Sequence, residues 1–144
     1  MKFCNYFFPD YSELSGLGHF YRCLKYSRFI KKGKIIFLYT KRFNPELIKI
    51  LKKNNIGLLK FNKSFFKKKK KLNTTNIITI DSYCKKSIYF KKNIFDKVIL
   101  ISDKKPLIIN PDIIIDHTFG RRQNFYLKEK KKKIKCFVGI NYFP

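Results

Sequence analysis

A histidine stands at a turn where a strand pattern gives way to a helix pattern. Gly16-Leu17-Gly18-His19 lies between an apolar, aromatic segment at residues 2–8 and a helical stripe that begins at His19. Glycines let the backbone turn sharply and approach a ligand, and the amides of a helix N-terminus favour an anion or a polar sugar group. The positive end of a helix also favours a neutral imidazole, which would let His19 act as a general base. A histidine that merely caps the helix fits the spacing equally well.

The turn does not complete a known nucleotide-binding motif. Tyr21 stands in the place of the third glycine of the dinucleotide fingerprint, and the chain has no Gly-Lys-Ser/Thr of a P-loop. The four cysteines, Cys4, Cys23, Cys84 and Cys136, form no CxxC pair and have no histidine at ligand spacing, which argues against a zinc site. We therefore expect no cofactor and no metal. Cysteines in a chain without a recognisable secretory signal are typical of reduced thiols, so we expect a cytoplasmic protein.

Short apolar strand patterns alternate with helical patterns along the chain. Strands are predicted at residues 2–8, 34–39, 58–61, 76–80, 97–101, 111–115 and 134–138. Helices are predicted from His19 to a stop at Gly33, from the Asn44-Pro45-Glu46 start, and at residues 82–92. This alternation is typical of a parallel sheet. The sequence predicts an α/β protein: a single Rossmann-like lobe over residues 1–144, with a mostly parallel sheet and an exposed basic loop at residues 63–73.

Polar and ionisable residues follow the predicted strands at their carboxyl ends. They are residues 12–19 and 81–83, Asp103, and the pair Asp116-His117. Ligands bind at that edge of open α/β sheets, so we expect the site there. Simpler interpretations compete with this one. Asp81 and Asp103 could cap helices, Asp116-His117 is more simply a surface loop pair, and Arg121-Arg122 is more simply exposed charge than a phosphate clamp.

The chain is strongly basic, with 34 Lys+Arg against 9 Asp+Glu and a formal net charge of +25. Lysines outnumber arginines 29 to 5, and Lys, Asn, Ile, Phe and Tyr share A/T-rich codons. We interpret the charge first as nucleotide bias at surface positions, and an evolved nucleic-acid surface as the alternative. Weak nonspecific attraction to polyanions follows in both cases. The apolar runs are far shorter than the ~20 residues of a membrane helix, so no membrane span is expected.

Five motifs in chain order resemble those of one family. They are Gly16-x-Gly18-His19-x-x-Arg22, Asp81-Ser82-Tyr83, Ser102-Asp103, Asp112-Ile113-Ile114-Ile115-Asp116 and Gly139-x-x-Tyr142-x-Pro144. The series is similar to the N-terminal lobe of the nucleotide-sugar hydrolases of pseudaminic acid biosynthesis, the UDP-2,4-diacetamido-2,4,6-trideoxy-β-L-altropyranose hydrolases. These enzymes are related to the glycosyltransferase-B fold, so the resemblance implies the N-terminal half of such a fold.

The resemblance implies a hydrolase that releases UDP from a nucleotide sugar by breaking the C1–O bond with inversion. In that family the histidine of the G-x-G-H motif orients or activates the attacking water, which implies a catalytic role for His19. The matched positions implied to bind the substrate are Gly16, Gly18, Arg22, Asp81, Tyr83 and Asp103. The chain departs from the family at Ser102 and Asp116, where the family has aspartate and asparagine.

The family holds the uridine and the diphosphate mainly with a second Rossmann-like lobe, and residues 1–144 hold no match to it. We expect this C-terminal nucleotide-binding lobe to be absent and the chain alone to be inactive or very weak, with a separately encoded C-terminal lobe as a candidate partner. Two other functions stay open. One is a glycosyltransferase lobe of the same architecture, which moves the sugar to an acceptor other than water. The other is a basic nucleic-acid-binding module, with lysines and aromatics at residues 61–71 and 89–90.

Overall fold

Seven strands form one sheet in the described part of the chain. They are β1 (Lys2–Pro9), β2 (Lys34–Tyr39), β3 (Gly57–Lys60), β4 (Thr74–Asp81), β5 (Lys97–Ile101), β6 (Ile113–Asp116) and β7 (Lys135–Val138). The computed structural model describes residues 2–11, 17–40, 42–62, 73–81, 94–103, 111–126 and 133–142. The order across the sheet is β3-β2-β1-β4-β5-β6-β7, and every pairing is parallel. The predicted single α/β lobe is confirmed.

Two helices follow the first two strands: α1 (Gly18–Arg28) and α2 (Pro45–Lys53). The α2 start is as predicted, because the Asn44 side chain accepts a hydrogen bond from the Glu46 N–H at 2.8 Å and Pro45 occupies the first turn. Neither of these two helices is long and apolar enough to cross a bilayer. The helix predicted at residues 82–92, and nearly all of the basic loop at 63–73, lie outside the described residues.

The core divides between the two faces of the sheet because successive strand side chains point to opposite sides. On one face the two helices pack against β1 and β2. The helices contribute the buried Phe20, Cys23, Leu47 and Leu51, and the strands contribute Phe7 and Phe37. The rings of Phe7 and Phe37 stack with centroids 5.3 Å apart. On the other face a second cluster includes the following residue of each strand, Phe8 and Leu38. Burying each such side chain contributes about 1.5–3 kcal/mol.

The strand order reverses between β1 and β4. From β1 the chain builds β2 and β3 toward one edge, and β4 then begins the run of strands toward the other edge. Pro9, the last residue of β1, is in register with Asp81, the last residue of β4. Connections leave such a switch point in opposite directions, which opens a crevice outside the carboxyl ends of the two strands. The start of α1 and the side chain of Asp81 both lie at this switch point.

Candidate active site

A buried carboxylate joins α1 to β4 at the switch point. The Asp81 side chain is 1% exposed, and its Oδ1 lies 2.6 Å from His19 Nδ1. Arg22 donates from Nε to Oδ2 and from Nη2 to Oδ1, each at 2.5 Å. His19 and Arg22 are three residues apart and therefore share one face of α1. The two-point contact is the geometry of a guanidinium with an ionised carboxylate.

Two contacts of Nδ1 bear on the tautomer of His19. Nδ1 lies 2.6 Å from Asp81 Oδ1, which can only accept, and 2.8 Å from Arg22 Nη2, which can only donate. The carboxylate favours a proton on Nδ1, and the guanidinium favours a lone pair there. With the proton on Nδ1, the lone pair of the neutral ring is on Nε2, which is then the nitrogen that can take up a proton.

The same arginine reaches a second histidine, at the end of β6. Arg22 Nη1 lies 2.9 Å from His117 Nε2. Because a guanidinium only donates, Nε2 accepts, and His117 is neutral with its proton on Nδ1. Burial of the ring, followed by the charge of Arg22, lowers the pKa of His117 below its ordinary value of 6.5, against the opposing effect of nearby aspartates. Arg22 thus connects the two imidazoles of the chain through one planar group.

Asp116, the residue before His117, is held in place by several buried contacts. Asp116 is fully buried, accepts hydrogen bonds from the Tyr126 hydroxyl and the Thr118 N–H, both at 2.9 Å, and lies 3.1 Å from Arg121 Nε. Burial alone raises the pKa of Asp116, but these hydrogen bonds and the charge of Arg121 outweigh it, so the pKa lies below 3.8. Burial and the bond to Asp116 raise the pKa of Tyr126, which keeps its hydroxyl a donor.

The structure brings three of the predicted site residues together: His19, Arg22 and Asp81. Gly18 is the first residue of α1 and is exposed, and a Cβ added there would meet nothing within 4 Å. Asp103 lies two residues beyond β5 and is partly buried, and its carbonyl accepts a hydrogen bond from Arg121 Nη2 at 2.6 Å. Gly16 and Tyr83 lie outside the described residues.

Three of the simpler interpretations of the sequence are wrong. His19 does not cap α1, because Leu17 is the N-cap residue and the imidazole contacts Asp81. Asp116-His117 is not a surface loop pair, since Asp116 is 0% exposed. Arg121 is not exposed loop charge, because it contacts Asp116 and the Phe125 ring, although its neighbour Arg122 is exposed. The position of Asp116 at the carboxyl end of a predicted strand was the signal that it could be buried. The sequence held no signal that Tyr126 would contact it.

The site combines an imidazole held by a carboxylate with a compensated charge. Asp81 positions the His19 ring and would stabilise it once it is protonated, which is the role of the carboxylate in many acid–base dyads. The Cys23 thiol, on the next turn of α1, is not a nucleophile, because complete burial raises its pKa well above the ordinary value. Among the described residues, no three His, Cys, Asp or Glu side chains are grouped to hold a metal ion.

Comparison of the chain with protein-family models, with curated proteins and with solved structures finds no match in any of the three. The geometry of the site and the motif resemblance are therefore the basis for assigning a function.

Proposed function

We propose that this chain is the catalytic lobe of a nucleotide-sugar hydrolase, in which His19 activates the water that displaces UDP. One observation carries the proposal: the 2.6 Å contact between His19 Nδ1 and the buried Asp81 carboxylate at the switch point of a parallel sheet, in which we take Nδ1–H as the donor. This arrangement orients a basic nitrogen at the edge of the sheet where α/β proteins bind ligands. The motif resemblance supplies the substrate class, a UDP-linked sugar.

The proposed reaction needs only a base, a water molecule and a good leaving group. His19 Nε2 takes a proton from water as the water oxygen forms a bond to C1 of the sugar. The C1–O bond to the diphosphate breaks, and its electron pair leaves with UDP. The proton on His19 then passes to solvent, which restores the neutral ring. Asp81 stabilises the imidazolium that forms during the reaction.

Arg22 acts as a positioning residue in this proposal. Its guanidinium fixes the carboxylate that orients His19, and it also holds His117 in the neutral state. Because Arg22 and Asp81 neutralise each other, the pair does not present a net negative charge to an anionic diphosphate. The face of α1 that holds the base therefore remains compatible with a nucleotide substrate.

The products of a single turnover test the proposal. The chain is held in excess over UDP-2,4-diacetamido-2,4,6-trideoxy-β-L-altropyranose in ¹⁸O-labelled water, since the family places the uridine contacts in a second lobe. We expect free UDP and a free sugar that has the ¹⁸O at C1. Label in UDP instead would show attack at phosphorus and contradict the proposal. A sugar conjugate formed with an added acceptor would favour the glycosyltransferase, which uses the same base on a hydroxyl group.

A binding measurement covers the case in which no UDP is released. NMR spectra of the His19 and His117 ring protons are recorded while the UDP-sugar is added to the chain. We expect both rings to shift, because both contact Arg22. A chain that releases no UDP and whose histidine resonances do not move would refute the proposed function.

A further inference from the structure

We propose that the edge of the sheet opposite the candidate site binds single-stranded nucleic acid, around an exposed phenylalanine at the end of α1. This inference is independent of the proposed hydrolase activity. The surface, called here the Phe29 platform, is made of six exposed residues: Lys2, Arg28, Phe29, Lys31, Lys32 and Lys34.

The fold brings these residues together at one place. Lys34 opens β2 and is in register with Cys4 of β1, two residues from Lys2. The connection from α1 lies directly on β1: a Cβ added at Gly33 would be 2.5 Å from the carbonyl oxygen of Phe3. The Asn5 side chain also donates to the Lys32 carbonyl at 3.2 Å. The lysines before and after Gly33 therefore flank the start of β1.

Phe29 has a hydrogen-bonded backbone and an exposed side chain. Phe29 is the C-cap residue of α1, and its N–H donates to the carbonyls of the preceding turn. Its side chain is nevertheless 71% exposed. A solvent-facing ring next to Arg28 and two residues before Lys31 offers a stacking surface near positive charge. In a single strand the bases can stack on the Phe29 ring and the phosphates can contact the positive side chains. In a duplex the faces of the bases are already stacked on one another.

Further lysines extend the positive charge along the amino edge of the sheet. At the amino edge Lys97 and Lys135 open β5 and β7, and extend the positive surface beyond the Phe29 platform. The two carboxylates near this edge, Asp96 and Asp112, accept hydrogen bonds from backbone N–H groups.

The ring is tested with a matched aromatic control. Binding of a fluorescent oligouridine of ~20 nucleotides is measured by anisotropy for the wild type, Phe29→Ala and Phe119→Ala. Phe119 is 84% exposed and follows β6 at the other edge. Loss of one stacked base predicts binding at least about fivefold weaker for Phe29→Ala, and wild-type affinity for Phe119→Ala. Equal affinities for the two variants would overturn the proposal.

The lysines are tested with a matched charge control. The double variant Lys31→Gln/Lys32→Gln is compared with Lys49→Gln/Lys60→Gln, which removes the same charge from exposed positions elsewhere. We expect the slope of log affinity against log salt to fall by about 1.4 only in the first variant, about 0.7 for each single-strand phosphate that no longer has its lysine. Equal slopes would show that the attraction is diffuse and would overturn the proposal. So would stronger binding to phosphatidylserine vesicles than to oligouridine, since the surface would then be a membrane contact.

Discussion

Replacing Asp81 by asparagine should destabilise the fold more than any single change of a surface charge. The substitution keeps the size of the side chain but removes the negative charge that three donors share. The new amide group also places N–H donors against the donors of Arg22, which lie 2.5 Å from the present carboxylate oxygens. Arg22 then retains a positive charge in a site where its side chain is only 17% exposed.

The expected loss follows from the burial of the pair. Removing one partner of a buried ion pair costs about 3–5 kcal/mol, because the other charge is left without compensation. A domain of ordinary stability has about 5–15 kcal/mol in total, so Asp81→Asn should unfold at much lower urea concentration and still have a measurable transition. The matched change Glu46→Gln breaks an ion pair with Lys49 in which the two side chains are 70% and 72% exposed. Its cost should be below about 1 kcal/mol.

Urea unfolding followed by circular dichroism measures both variants. A double variant with Arg22→Gln completes the cycle, and we expect its loss to be smaller than the sum of the single losses by on the order of 1–3 kcal/mol, since the two side chains are in contact. If Asp81→Asn unfolded at the same urea concentration as Glu46→Gln, or if the two single losses were additive, Asp81 and Arg22 would not form a buried ion pair and the reasoning would be refuted.

Three further predictions concern titration and the backbone. The pKa of His117 in the folded chain is lowered from 6.5. The free energy of unfolding should therefore fall as the pH drops from 6.5 to the pKa of the folded chain. In urea titrations at several pH values, His117→Gln should not show this loss. The pKa of Asp116 lies below 3.8, so its stabilisation is present above pH 3.8 and is lost as the pH falls through the folded value; Tyr126→Phe should raise this pKa and move acid unfolding to higher pH. Gly33→Ala should destabilise the chain by at least ~1–3 kcal/mol in urea, because its φ is +96° and a Cβ would strike backbone. Gly120→Ala, at φ +68° with open space around it, should cost less, and equal losses would contradict the close approach at Gly33.

The sequence predicts the elements well because each carries its own local signal. The apolar run of β2 and the Asn44-Pro45 start of α2 have no need of distant partners to be recognised. The buried stripe of α1, which includes Phe20 and Cys23, was also evident from its spacing. The parallel arrangement followed from the alternation of elements, and the carboxyl-edge rule led us to expect His19 and Asp81 at one edge of the sheet.

The partners within the site could not be read from the sequence. Asp81 lies 62 residues from His19, and His117 lies 95 residues from Arg22. Which side chains meet depends on the strand order and on the register, and neither has a local signal. For the same reason the contact of the Asp81 carboxylate with two residues of α1 could not be predicted. The orienting role proposed for it depends on that contact.

The rate of UDP release with and without the His19 imidazole tests the central claim most directly. Single-turnover rates are measured for the wild type, for His19→Gln, and for Glu46→Gln as a control on the exposed face of α2. We predict that His19→Gln lowers the rate at least about 100-fold, the contribution expected of a positioned general base, and that Glu46→Gln leaves it unchanged. UDP release by His19→Gln at the wild-type rate would contradict the proposed role of His19 as the base.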